Sequence, residues 1–158
     1  MDKFLVRKAT IDDINDIIKL NKILFDLEYD NNFDDTLDTS RPLSDDGRDY
    51  YKLSITNNIT LVAITDNTIV GYLIWSLNTE FSYNTVKQAE LNNMCILEKY
   101  RKYGIGTELF NKFKNICKQN HIEEIKVTAS YDNTNAINFY KKNWFIEQEL
   151  TLKKKIDY

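Results

Sequence analysis

The chain has 158 residues, carries a formal net charge of −3 and is 42% hydrophobic, so it is long enough and apolar enough for one globular domain with its own core. The negative balance argues against general nucleic-acid binding, and no apolar run reaches the roughly 18 residues of a membrane span. The N-terminal residues lack the apolar stretch of a secretory signal. We therefore expect a single cytoplasmic domain over 1–158 that binds neither nucleic acid nor membrane.

Residue types exclude several kinds of catalytic site. The sequence has one histidine, His121, which excludes a multi-histidine zinc site and a serine–histidine triad. Its two cysteines, Cys95 and Cys117, have neither a metal-binding spacing nor a disulfide framework. We expect no bound metal, so catalysis has to use carboxylates, tyrosines or backbone groups.

The first part of the chain predicts a strand and two helices. Residues 3–7 have the pattern of a strand, and Thr10 and Asp13 have the spacing of a capping box. Apolar residues then recur at helical spacing as far as Phe25. A short second helix is predicted over 48–56.

The rest of the chain alternates strands with helices. It begins with a predicted hairpin of two strands rich in β-branched residues, joined by a polar turn, and ends with one or two closing strands. The successive segments are strands 60–65, 69–77 and 86–96, helix 105–119, strand 124–130, helix 134–142 and closing strands within 144–155. This order predicts an α/β (α+β) fold with a mixed, mostly antiparallel central sheet of six to seven strands, flanked by about four helices.

A glycine-containing turn joins the strand 86–96 to the helix 105–119. Gly104 and Gly106 let a ligand approach the backbone, while the first N–H groups of the helix and Arg101 place positive charge there. This suits a phosphate or a pyrophosphate. Leu109 stands where a dinucleotide fingerprint needs a small residue, and no Gly-Lys-Ser/Thr follows, so those two phosphate motifs are excluded.

A second motif lies about 30 residues downstream of the first. The two are Arg101-x-x-Gly104-x-Gly106 and Asn133-x-x-Ala136-x-x-Phe139-Tyr140-x-Lys142-x-Trp144-Phe145. In this order and spacing, the chain resembles the GNAT superfamily of N-acetyltransferases, which use acetyl-CoA. The resemblance covers nearly the whole length and implies the GNAT acyl-CoA acyltransferase fold.

The resemblance also implies which residues bind the acetyl donor. The loop would hold the CoA pyrophosphate with backbone N–H groups, and the end of the preceding strand would pair with the pantetheine arm. The residues concerned are Arg101, Lys102, Tyr103, Gly104, Ile105, Gly106 and Thr107 in the loop, and Met94, Cys95 and Ile96 in the strand. The N–H of Ile96 would stabilise the oxyanion, and Asn133 would touch the cofactor arm.

Two residues are candidates for proton transfer. By resemblance, Tyr140 would protonate the leaving CoA thiolate, and Glu90 would accept the proton of the attacking amine. A two-residue period places Glu90 on one strand face with Asn92, Met94 and Ile96. Alternatively, Tyr140 is a packing aromatic, and Glu90 is an ordinary strand carboxylate in an enzyme that uses ordered water.

One position departs from the family pattern. The family usually has glycine where this chain has Trp144. We expect Asn143 to take the left-handed conformation at the helix end instead, because asparagine tolerates it better than tryptophan.

The acceptor is predicted from charge. The segment 26–49 is rich in aspartate, and such a run is either a solvated surface or an acidic lip that attracts a cation. In the family, the acceptor side is formed by the regions corresponding to 24–56 and 78–85. We expect a cationic primary amine resembling a polyamine or an aminoglycoside. The alternatives are a protein N-terminus or lysine, and a non-catalytic acetyl-CoA-binding module. A homodimer is expected only because it is common in the family.

Overall fold

A computed structural model describes residues 4–57, 59–78 and 85–156 and contains one five-stranded sheet. The spatial order follows the chain, and its strands are β1 (Leu5–Lys8), β2 (Thr60–Thr65), β3 (Thr68–Asn78), β4 (Gln88–Ile96) and β5 (Glu124–Val127). Successive strands pair antiparallel except β4 and β5, which are parallel. The mixed, mostly antiparallel sheet is confirmed. The predicted count of six to seven strands is too high for the described residues, because 144–155 forms no strand.

Four α-helices accompany the sheet, as predicted. They are α1 (Ile14–Asp30), α2 (Asp45–Thr56), α3 (Ile105–Gln119) and α4 (Thr134–Lys142). Short 3-10 turns precede α1, α2 and α3. The helix α1 extends beyond the predicted apolar stretch and includes the first carboxylates of the acidic segment 26–49.

The two faces of the sheet bury different helices. On one face, apolar residues of α1 and α2 form a single core with Val62, Tyr72, Ile74 and Cys95. On the other face, Trp75 packs against Phe113 of α3, with ring centroids 5.1 Å apart. Side chains alternate along β3, so Tyr72 and Ile74 define the face covered by α1 and α2.

The β2–β3 hairpin closes through Asp66 and Asn67, which both have positive φ (48° and 57°). Two consecutive positive φ values are characteristic of a type I′ turn, whose twist matches that of antiparallel strands. The predicted hairpin is therefore confirmed.

The chain divides into two compact units, Met1–Thr128 and Ala129–Tyr158. The first contains the sheet with α1, α2 and α3, and the second contains α4. Within the described residues, no helix is both long and apolar enough to cross a membrane.

Candidate active site

The central feature of the first unit is a bulge in β4. Ile74 of β3 lies opposite Asn93, but the next residue, Trp75, lies opposite Leu91, so Asn92 has no cross-strand partner. An extra residue in one strand shifts the alternation of its side chains. The bulge marks the point at which β4 changes both its side-chain alternation and its pairing with β5.

The bulge corrects the predicted face of Glu90. Glu90 lies opposite Ser76, and Cys95 lies opposite Tyr72, and these two residues of β3 share the face covered by α1 and α2. Directly opposed residues project on the same side of a sheet. Glu90 therefore shares its face with Asn93 and Cys95, and not with Asn92, Met94 and Ile96 as a simple two-residue period predicts.

Beyond the bulge, one edge of β4 is open. The parallel partner β5 pairs only with Gln88–Leu91, so in the described part of the chain no strand lies against the outer edge of residues 92–96. On the inner edge, the Leu97 N–H donates to the Val70 carbonyl at 2.9 Å. Because backbone groups alternate between the two edges, the N–H groups of Met94 and Ile96 point to the open edge. An extended ligand with amide groups can pair there.

The loop after β4 exposes a run of backbone donors. Lys102 and Gly104 have positive φ (66° and 85°), and α3 starts at the next residue, Ile105. The first N–H groups of a helix have no intrahelical acceptor, and the first bond here joins the Glu108 N–H to the Gly104 carbonyl at 3.0 Å. The backbone N–H groups of Lys102, Tyr103 and Gly104 donate to no backbone carbonyl of the described residues. The loop therefore fits an anionic group such as a pyrophosphate.

Arg101 connects this loop to the strand. Its Nε donates to the carbonyl of Ile96 at 2.9 Å, across a separation of five residues. The carbonyl belongs to the residue whose N–H points to the open edge of β4. The guanidinium therefore fixes the end of the strand relative to the loop, in addition to supplying a positive charge.

One carboxylate of α1, Glu28, is half-buried. Burial raises the pKa of Glu28, and the charge of Asp34 raises it further. Burial also raises the pKa of the Cys95 thiol to about 11, with Arg101 lowering it and Glu28 raising it. Glu28 is half-buried on α1, the helix that packs against the face of β4 carrying Cys95 and Glu90. The sequence indicated Glu28 only as one acidic residue of the segment 26–49.

Two aspartates of the acidic segment stabilise its loop. Asp34 accepts bonds from the N–H and hydroxyl of Thr36, at 3.1 and 2.6 Å, and Asp38 accepts bonds from the N–H and hydroxyl of Ser40, at 2.9 and 2.6 Å. These carboxylates hold local turns, which supports a structural role for them. The other predicted part of the acceptor side, 78–85, lies mostly outside the described residues.

In the second unit, Asn133 caps α4. Its Oδ1 accepts a bond from the Ala136 N–H at 3.1 Å. Tyr140 packs edge-on against Phe139 and Phe145, with ring centroids 5.5 and 5.4 Å away. The roles of Asn133 and Tyr140 toward acetyl-CoA stay predictions.

The end of α4 differs from the expectation. Asn143 has φ −97°, and Trp144 itself adopts the left-handed conformation, with φ 69°. The Phe145 N–H donates to the Tyr140 carbonyl and the Trp144 N–H to the Lys141 carbonyl, both at 3.1 Å. This is a Schellman motif, which requires the left-handed residue at position 144. The prediction that Asn143 would take this conformation is wrong.

No group of three or more histidine, cysteine, aspartate or glutamate side chains in the described residues could hold a metal ion. The first unit thus combines an open strand edge, a glycine-containing loop at the start of a helix, and the half-buried carboxylates Glu28 and Glu90.

Comparison with known proteins identifies the family. The model of the acetyltransferase (GNAT) family matches residues 23–144, and the chain belongs to this family. It is an N-acetyltransferase that uses acetyl-CoA as its acetyl donor.

Curated relatives agree with this assignment, and solved structures share the fold. The chain is 29% identical to an N-alpha-acetyltransferase of Saccharolobus solfataricus, over 88% of this chain and 78% of that protein. It is 27% identical to N-alpha-acetyltransferase 50 of Danio rerio, over 94% and 79% of the two chains. The fold is similar to the BH1408 protein of Bacillus halodurans (TM-score 0.82, 18% identity, 96% and 99% covered). It is also similar to an aminoglycoside N-acetyltransferase solved with CoA (TM-score 0.77, 13% identity, 98% and 95% covered).

Proposed function

We propose that the protein transfers the acetyl group of acetyl-CoA directly to a primary amine on a cationic acceptor, such as a polyamine or an aminoglycoside. The observation that carries the acceptor class is the half-buried Glu28 on α1, whose pKa is raised by burial. Burial disfavours the charged form of a carboxylate, and a cation beside it relieves that cost. An ammonium group of the acceptor is a suitable partner for Glu28.

The open edge of β4 supports a direct mechanism. The pantetheine arm pairs with the outward-facing backbone groups of Met94 and Ile96, whereas the backbone of Cys95 between them faces β3, and the loop from Arg101 to Thr107 binds the pyrophosphate. The amine nitrogen attacks the thioester carbonyl carbon, and the Ile96 N–H stabilises the resulting oxyanion. Glu90 accepts the amine proton, the carbon–sulfur bond breaks, and Tyr140 protonates the thiolate. Asn133 orients the cofactor arm.

An amine panel tests the proposal by release of the CoA thiol. Spermidine and an aminoglycoside should release thiol faster than peptides with a free N-terminus. Glu90→Gln and Tyr140→Phe should each lower kcat by about a hundredfold or more, with little effect on binding of acetyl-CoA. An absence of thiol release with every amine would contradict the proposal.

The contribution of Glu28 needs a separate comparison. Glu28→Gln should raise KM for a polycationic acceptor by about tenfold, because the carboxylate no longer pairs with the acceptor. Asp16→Asn removes the same charge from an exposed position of α1, where Asp16 pairs with Lys19, and should leave KM unchanged. If both variants raise KM equally, the negative charge of the whole acidic surface attracts the acceptor, and Glu28 has no special role.

A second candidate acceptor is the α-amine of a protein N-terminus. It is favoured by the curated relatives, which are N-alpha-acetyltransferases. This alternative predicts that peptides with free N-termini are acetylated in preference to polyamines. It also predicts that the Glu28→Gln variant has an unchanged KM for peptides with uncharged side chains.

A non-catalytic acetyl-CoA-binding module is the third alternative. It requires biological activity to survive Glu90→Gln and Tyr140→Phe and to be lost in Gly104→Val. A cytoplasmic location belongs to the proposal, because the free thiols of Cys95 and Cys117 suit a reducing compartment. A homodimer is proposed from the family resemblance, and size-exclusion chromatography tests it.

A further inference from the structure

We infer that Asn21 is a positioning residue for the acceptor, which holds α1 against β3 and so fixes the half-buried Glu28 two turns further along the same helix. This inference rests on the proposed function of Glu28. Asn21 is not one of the proposed catalytic groups and acts through the helix on which both it and Glu28 lie.

Asn21 connects three elements of the first unit. Its side chain is completely buried. The Tyr51 hydroxyl of α2 donates to Asn21 Oδ1, and Asn21 Nδ2 donates to the Tyr72 hydroxyl of β3, both at 2.5 Å. The side chains of Tyr51 and Tyr72 are also buried. One amide thus uses its acceptor and a donor to join α1 to both α2 and β3.

An apolar residue would satisfy packing at this position. Asn21 lies on the buried stripe of α1, three and four residues after Ile18 and Ile17. A buried amide without partners is costly, whereas a fully bonded one favours a single arrangement of the elements that supply its partners. Asn21 therefore restricts the position of α1 relative to α2 and β3 more than a leucine would.

The fixed part of α1 includes Glu28. Seven residues separate Asn21 from Glu28, which is about two helical turns and places both on one side of α1. Tyr72 lies opposite Cys95 of β4. The bond from Asn21 to Tyr72 therefore anchors α1 on the β3–β4 strand pair. A tilt or slide of α1 would change the distance between Glu28 and β4.

The test uses two variants of the full chain. Asn21→Leu removes both bonds but leaves two buried hydroxyls without partners, which destabilises the fold. The triple variant Asn21→Leu/Tyr51→Phe/Tyr72→Phe removes all the polar groups together and should retain most of the stability. The control is Ser54→Ala, because Ser54 is buried and its hydroxyl donates to the Tyr50 carbonyl of its own helix, at 2.8 Å.

Two measurements separate positioning from stability. The triple variant should raise KM for the cationic acceptor about tenfold while KM for acetyl-CoA stays within about twofold. Adding Glu28→Gln should raise the acceptor KM no further, because both changes remove the same contact. Separately, a ¹³C NMR titration of the Glu28 carboxyl should show its pKa falling toward the ordinary value, since α1 no longer holds it buried.

The NMR titration needs no acceptor, so it distinguishes this inference from the proposed function. If no amine is acetylated but the pKa of Glu28 falls in the triple variant, the acceptor assignment fails and the positioning role of Asn21 stands. If a folded triple variant leaves both the acceptor KM and the pKa of Glu28 unchanged, Asn21 serves stability alone. An equal rise in KM for both substrates would also overturn the inference.

Discussion

Arg101 Nε lies 2.9 Å from the carbonyl oxygen of Ile96 and donates a hydrogen bond to it. The bond joins the end of β4, whose outer edge is open, to the loop whose N–H groups form the proposed pyrophosphate site. The guanidinium thus has a structural role in which the planar donor group matters as much as the charge. A lysine has no equivalent of Nε and cannot reproduce this geometry.

The first prediction concerns Arg101. Arg101→Met should raise KM for acetyl-CoA about tenfold, and Arg101→Lys should recover only part of this loss, because it restores the charge without the bond to Ile96. Lys99→Met is the control, since Lys99 lies in the same loop but over the Tyr100 ring, 4.8 Å from its centroid. Steady-state kinetics with acetyl-CoA as the varied substrate measures the effect. Full recovery in Arg101→Lys would show that charge alone matters.

The second prediction concerns the backbone at Gly104. A Cβ at this position would meet no atom within 4 Å, but φ is +85°, so any substitution is limited by conformation and not by space. Gly104→Ala should lower the free energy of unfolding by about 1 kcal/mol and weaken acetyl-CoA binding. Gly104→Asn should cost less, because asparagine tolerates the left-handed region. Chemical denaturation and calorimetry measure the two effects, and equal losses in both variants would argue against a conformational cause.

Structural features that depend on contacts between residues close in the sequence could be predicted, and features that depend on distant contacts could not. The helices α3 and α4 have the predicted bounds because Gly104 and Asn133 start them through contacts within a few residues. The bulge at Asn92 depends on pairing with β3, which no sequence period shows. Trp144 adopts a conformation that its type disfavours because the bonds of the helix end outweigh that preference.

The acceptor side was less predictable because it depends on contacts between residues far apart in the sequence. Its acidic character was visible in the sequence, but the special position of Glu28 depends on the packing of α1 against β4. Asn21 gave a usable signal, as a polar residue on an otherwise apolar helical stripe. Its partner Tyr72 lies 51 residues away, so the bond itself could not be predicted.

The third prediction is a pH dependence of stability that originates at Asp13. Its carboxylate accepts bonds from Arg7 at 2.6 and 2.9 Å and from the Thr10 N–H at 2.7 Å. The bond from Arg7 is the main cause that lowers the pKa of Asp13, against the effect of burial. A lowered pKa in the folded state stabilises the protein above the ordinary value near 3.9 and loses this effect as the pH falls through the folded pKa.

Asp13→Asn should therefore lower the free energy of unfolding by about 2 kcal/mol at pH 7, and the difference from the original protein should shrink below about pH 4. Urea denaturation across this range measures it. Asp16→Asn is the matched control, because its exposed pair with Lys19 contributes at most about 0.5 kcal/mol. A difference that persists undiminished in acid would exclude the ion pair as its source.

The fourth prediction concerns Glu28, whose ionisation should destabilise the fold, whereas ionisation of Asp13 stabilises it. Its pKa is raised by burial, so ionisation opposes folding as the pH rises from the ordinary glutamate value through the folded pKa. Glu28→Gln should raise Tm at pH 7, and this gain should vanish below about pH 4, where the carboxyl is protonated in both states. Calorimetry at several pH values tests it. A lower Tm at pH 7 would mean that the carboxylate is already paired in the free protein.

The fifth prediction concerns the end of α4. Trp144 has φ 69° and is 93% exposed, so its side chain contributes little packing to offset an unfavourable backbone conformation. Trp144→Gly should raise the free energy of unfolding by about 1 kcal/mol, because glycine adopts the left-handed region without a Cβ clash. Trp144→Ala separates the two contributions, since it removes the indole but keeps the backbone cost, and it should give little or no gain. If alanine stabilises the protein as much as glycine does, the indole and not the backbone is the source of the strain.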